Sequence, residues 1–138
     1  MNIYFAGSIR GGREDKEIYF EIIKLLSKYG QVLTEHVGDK SLSDKGELNI
    51  SEVDIYNRDI AWVNQSDVIV AEVTTPSVGV GYEIAYAEGK GKKIICLYRD
   101  IEGKKKISAM VAGDTNLNIK SYHRLDELVS FFDEVFNS

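Results

Sequence analysis

The run DVIVAEV, Asp67 to Val73, places Val68, Ile69, Val70 and Ala71 consecutively and without a polar break. A strand with one wet face alternates apolar and polar residues; a continuous apolar strand must be covered on both faces, as in a parallel sheet between layers of helix. The rest of the chain supplies the partners. The β-rich runs NIYFAG, QVLTEH, KKIICLY and LNIKSY alternate with segments of helical period, which is the order of repeated βα units. The first helix is expected over REDKEIYFEIIKLLSKYG, where Ile18, Ile22, Leu25 and Leu26 recur at helical spacing and Gly30 supplies a stop. A second runs through SEVDIYNRDIAWVNQS, with Ile55, Ile60, Trp62 and Val63 gathered on one side. GVGYEIAYAEG, a short stretch near ISAMVAG, and the amphipathic LDELVSFFDEVF complete the helices. Pro76 falls between strand three and helix three, where its fixed φ suits a turn. The expectation is a single α/β domain over residues 1–138, doubly wound around a five-stranded parallel sheet flanked by helices. The polar segment VGDKSLSDKGELN is expected to loop over the surface.

Composition narrows the partners. A chain of 138 residues is long enough for one stable core without a staple. Its 43% hydrophobic and 28% charged residues are those of a globular protein. The formal charge of −5 argues against a nucleic-acid grip, which needs many Lys and Arg on phosphates. Cys96, the lone cysteine, lies in KKIICLY, where a buried small hydrophobe is expected. No run approaches a membrane span, and MNIYFAGS lacks the basic region and apolar stretch of a signal peptide, so no membrane partner and a reducing, cytoplasmic setting are expected.

Ligands of open α/β sheets bind beyond the carboxyl ends of the strands, so the loops at that edge carry the candidates. GSIRGGR follows strand one: Gly7 and Gly11 let the backbone approach an anion, N–H groups at a helix start point toward it, and Arg10 adds a bidentate contact. It is neither a Walker A loop nor G-x-G-x-x-G, and a plain tight turn with a solvated arginine is the alternative. In TTPSVGVGYEIAYAEG, Ser77 is placed to cap helix three, and Gly79 and Gly81 open its backbone. Glu83 then admits two readings: a first-turn carboxylate complementing the helix dipole, or a nucleophile or base beside the small apolar side of Val80, Ile84 and Ala87.

Asp59 in NRDIAW falls inside the arc of Ile55, Trp62 and Val63, pointing to the core side of its helix. It either pairs with a neighbour such as Arg58 or has chemical work to do. Two carboxylates facing one cleft beside a phosphate site would suit glycosidic cleavage. Tyr4 could be a core aromatic or lend its hydroxyl to the site, and Ser108 in ISAM would pass for a helix cap. His36 ends strand two and either borders the cleft or is a loop or packing residue, His123 has no supporting motif, no cluster has metal spacing, and the lysines of GKGKK and GKKK read as solvated charge.

Read together, YFAGSIRGGRED, VLTEHV, DVIVAEVTTPSVGVGYE and SAM resemble the 2′-deoxynucleoside 5′-phosphate N-hydrolase family, relatives of the nucleoside 2-deoxyribosyltransferases. The resemblance covers Tyr4 to about Gly113 and implies a flavodoxin-like or Rossmann-like homodimer that hydrolyses the base–sugar bond of a deoxynucleoside 5′-monophosphate, its small-molecule substrate. It implies Glu83 as nucleophile, Asp59 as acid/base partner and Tyr4 as organiser of the carboxylate. Gly7, Ser8, Ile9, Arg10, Gly11, Ser77 and Gly79 would hold the 5′-phosphate. Ser108 would reach the phosphate of the neighbouring subunit. No metal or cofactor is implied. The departures, from Gly38 to Asn49 and at the C-terminal segment, bear on base preference. A deoxyribosyltransferase and a nucleotide-sensing module with an inert Glu83 are the rival expectations.

Overall fold

The computed structural model describes residues 1–9, 16–34, 50–101 and 107–137. The strands are β1 (Asn2–Ala6), β2 (Gln31–Val32), β3 (Val68–Glu72), β4 (Lys93–Arg99) and β5 (Asn118–Tyr122). The helices are α1 (Lys16–Leu26), α2 (Glu52–Gln65), α3 (Val78–Gly89), α4 (Ala109–Ala112) and α5 (Asp126–Asn137). The sheet is parallel throughout with strand order β2-β1-β3-β4-β5, as the alternating pattern predicts.

Side chains sort by the two-residue period of each strand. Ile3, Phe5, Val68, Val70, Ile95 and Leu97 pack on one face against Tyr19, Ile22, Ile23 and Leu26 of α1 and Leu128 and Phe132 of α5. Tyr4, Ala6, Ile69, Ala71, Ile94 and Cys96 pack on the other, against Val63 of α2 and Val80, Ile84 and Ala87 of α3. All five residues of β3 are buried, so the continuous apolar run lies where both faces are covered. Cys96 is buried as expected.

Three expectations need correction. Among its described residues, QVLTEH forms strand only at Gln31–Val32. Past it, the buried Thr34 hydroxyl accepts the Phe5 N–H at 2.8 Å and donates to the Phe5 carbonyl at 2.6 Å, so one side chain does the work of a continued ladder. In α2 only Val63 is buried; Ile55 and Ile60 line an open cleft, because the first turns of this helix flank a cavity rather than the sheet. Lys92 is not merely solvated either: its Nζ donates to the carbonyls of Asn64 and Ser66 at 2.8 and 2.9 Å, where the end of α2 attracts a cation.

β1 is flanked by β2 and β3, so the chain leaves β1 in one direction and β3 in the other, and the loops after the two strands diverge. Gly7 opens the first of these loops. A Cβ there would stand 3.0 Å from the Tyr19 ring and 3.2 Å from the Phe5 ring, so the glycine is required by packing. Gly91, at φ 71°, turns the chain from α3 into β4. Gly7→Ala is expected to cost roughly 1–3 kcal/mol through overpacking. Gly89→Ala, at a helical position with nothing within 4 Å, should gain roughly 0.5–1 kcal/mol. Denaturant midpoints of the two variants against the parent check both signs.

Candidate active site

A cleft of about 460 Å³ opens at the carboxyl edge of β1 and β3, lined by Gly7 and Ile9 after β1, Ile55, Tyr56, Asp59 and Ile60 of α2, and Ser77, Gly79, Tyr82 and Glu83 at the start of α3. Sequence-singled residues from three separate segments thus meet in one cavity.

Ser77 caps α3, its hydroxyl accepting the Val80 N–H at 3.2 Å. Because the helix begins at Val78, its first turn contains no acid, and Glu83 sits in the second turn. The helix-dipole reading of Glu83 therefore fails, since that effect fades within the first turn. Instead the Glu83 carboxyl accepts a hydrogen bond from the Tyr4 hydroxyl. Tyr4 resolves both of its readings at once: its ring belongs to the core at 2% exposure, and its hydroxyl reaches the site. Glu83 is half-buried counted over all its atoms, but its carboxyl end is the withdrawn part. Desolvation there pushes the carboxyl up to about 8.

Asp59 is half-buried rather than turned into the core, with Arg58 Nε 3.0 Å from its Oδ1 and the Arg58 guanidinium over the Trp62 ring. It keeps the pairing that its neighbour suggested and also faces the cleft. Ser8 is fully buried and does not line the cavity; its N–H donates to the Tyr19 hydroxyl at 3.1 Å, and its own hydroxyl has no hydrogen-bond partner among the described residues. Arg10, Gly11 and His36 lie outside the described residues, as does the segment from Gly38 to Asn49.

Ser108 is not brought into this cleft. Its hydroxyl caps α4 by accepting the Met110 N–H at 3.2 Å. It lines a separate cavity of about 840 Å³ on the other side of the α3 start, which also touches Ser77 and Gly79. Among the described residues no group of His, Cys, Asp and Glu could hold a metal ion, and no helix is long and apolar enough to cross a membrane.

Four contributors escaped the sequence reading. Tyr19 supports the β1 loop from below. Tyr56 and Tyr82 stand in the cleft itself; Tyr56 precedes Asp59 by three residues, so helical spacing alone could have put it on the same face. Glu72 is wholly buried and accepts the Thr74 N–H at 2.7 Å and the Tyr122 hydroxyl at 2.5 Å, which anchors the start of the β3–α3 loop. An acid ending an otherwise apolar strand was its only mark.

The Glu83 shift has a consequence for stability. Unfolded, the carboxyl ionises near 4.5; folded, near 8. Its folded form holds the proton more tightly, so this group's contribution is fully present below about 4.5 and is lost as pH rises toward 8. Glu83→Gln should accordingly melt above the parent by a margin that widens across that window and levels off beyond it. Paired thermal melts over the pH range measure the margin, and a constant offset would contradict it.

Comparison with known proteins finds relatives over the whole chain. A Danio rerio protein named 5-hydroxymethyl-dUMP N-hydrolase is 50% identical over 141 residues, covering 100% of this chain and 97% of that protein. A Mus musculus protein of the same name is 51% identical over 113 residues, 81% of this chain and 65% of its own length. Among solved structures, a CMP N-glycosidase of Clostridium botulinum shares the fold with a TM-score of 0.68 at 21% identity, covering 98% of this chain and 99% of that one. The family model for nucleoside 2-deoxyribosyltransferase matches residues 3–125. The chain belongs to the nucleoside 2-deoxyribosyltransferase family.

Proposed function

We propose that this protein hydrolyses the N-glycosidic bond of 2′-deoxynucleoside 5′-monophosphates, releasing a free base and 2-deoxyribose 5-phosphate. The observation that carries the reading is the desolvated Glu83 carboxyl, held by Tyr4 in a cleft it shares with Asp59. The full-length similarity to a protein named as an N-hydrolase supports it.

In this reading a Glu83 oxygen bonds to C1′ as the C1′–N bond breaks, and Asp59 delivers a proton to the departing base. Water then attacks C1′, Asp59 takes a proton from it, and the ester to Glu83 breaks. A carboxylate stripped of water is costly in the resting protein and is best compensated when positive charge develops at C1′, so the interaction is strongest in the transition state. Tyr4 holds the carboxylate in line. A deoxyribose suits the scheme because no 2′-hydroxyl withdraws electrons from that centre.

The 5′-phosphate would lie on Gly7, Ser8, Ile9, Arg10 and Gly11, joined by Ser77 and Gly79. The open backbone at Gly79, which lines the cleft together with Gly7, Ile9 and Ser77, supports this placement. A homodimer would bring Ser108 of one subunit to the phosphate of the other; Val78 at 93% and Met110 at 85% exposure give the Ser108 face the apolar character of a contact surface. A buried free thiol at Cys96 suits a cytoplasmic enzyme. The family's name keeps one second reading in view, transfer of the sugar to another base.

Base release from a panel of deoxynucleoside monophosphates should fall roughly a thousandfold or more in Glu83→Ala. In the parent, kcat/KM should climb with pH toward a limb near 8, since the nucleophile must be ionised; a profile flat or falling across that range contradicts the role given to Glu83. Adding a competing free base tests for transfer, which would appear as a new nucleotide. Ser108→Ala should raise KM in a protein whose mass by light scattering is that of two chains; a fully active monomer would dispose of the shared site.

A further inference from the structure

We propose that Tyr56 and Tyr82 form the wall that receives the leaving base, with Tyr56 stacking on it and Tyr82 meeting its edge. The inference rests on reading the cleft as the site of N-glycosidic cleavage.

Both tyrosines line the cavity that holds Asp59 and Glu83, and both are exposed, at 48% and 54%. Large aromatic faces left open beside an apolar cavity gain most from a ligand that covers them. Ile9, Ile55, Ile60, Val78 and Val80 supply the remaining apolar lining, and Glu52 joins Asp59 and Glu83 as its acids, which suits a flat, neutral heterocycle better than a second anion. The two rings stand with centroids 6.1 Å apart at an interplanar angle of 73°. They make a corner, so a planar ligand can lie flat on only one of them.

Tyr56 is the one on which it lies. It precedes Asp59 by three residues on α2, hence on the same helical face, and Asp59 is the group placed to protonate the departing base. Tyr82 comes immediately before Glu83 on α3. The hydroxyl oxygens of the pair are 3.4 Å apart, and the contact with Tyr82 raises the Tyr56 pKa. The two phenol hydroxyls offer a donor and an acceptor to exocyclic groups of a base. Stacking would then supply affinity without choosing among bases, and the hydroxyls would rank them.

Calorimetric titration of the full chain carrying Glu83→Gln, with dUMP, dCMP, dGMP and 2-deoxyribose 5-phosphate as ligands, separates this from a mere brace between α2 and α3. Tyr56→Ala should weaken the nucleotides roughly tenfold while leaving the sugar phosphate, which has no base, within about twofold. Tyr56→Leu keeps helical bulk without the ring and should behave alike; Tyr56→Phe should retain the affinity. Tyr82→Phe should reorder the three nucleotides. Equal weakening of nucleotide and sugar phosphate, or no change in either, overturns the proposal. Base release by the parent chain is measured alongside. If it is absent while Tyr56→Ala still loses nucleotides selectively, the cleavage reading fails and the wall stands. If it is present without that selectivity, the wall fails and the cleavage reading stands.

Discussion

The parallel pairing of β1 with β3, from Ile3 opposite Val68 to Ala6 opposite Ala71, is the constraint on which everything else depends. With both strands covered on two faces, their side chains alternate between the α1/α5 layer and the α2/α3 layer. That alternation turns Tyr4 toward α3, where its hydroxyl meets Glu83. The register also sends the two loops apart at their carboxyl ends, and the cleft is the space between them. A slip of one residue would exchange the faces and separate Tyr4 from Glu83.

The chemistry follows from what surrounds the two acids. Glu83 has its carboxyl held by the Tyr4 hydroxyl and withdrawn from water, with little solvent to stabilise its charge. Asp59 has Arg58 at 3.0 Å and keeps a share of solvent. The two carboxyl groups thus share one cavity but not one environment, and the proposed mechanism gives them different tasks.

Much of this was legible in the sequence because it is local. The Ser77 cap, the buried side of α3 at Val80, Ile84 and Ala87, and the doubly buried β3 each depend on a few consecutive residues. The meeting of Tyr4, Asp59 and Glu83 in one cleft was approached through the rule for sheet edges and through family resemblance. What stayed hidden depends on contacts across the chain. Periodicity marks Ile55 and Ile60 as apolar but cannot say whether a sheet or a cavity faces them. The bond from Ser8 to Tyr19 spans 11 residues and that from Phe5 to Thr34 spans 29; neither has a local signature. The position of Glu83 within its helix turned on where the helix starts, and a shift of that boundary removed one of its two explanations.

The Thr34 bond also bears on how the molecule behaves in company. A sheet's outermost strand displays unpaired backbone groups that can template a strand from another chain. Here β2 is two residues long, and just past it the Phe5 backbone is occupied by a side chain instead of by more strand. Among the described residues, that margin offers an intruding segment a strand of only two residues to extend. The shortness of β2 is therefore a safeguard against edge-to-edge aggregation, bought with a single buried threonine.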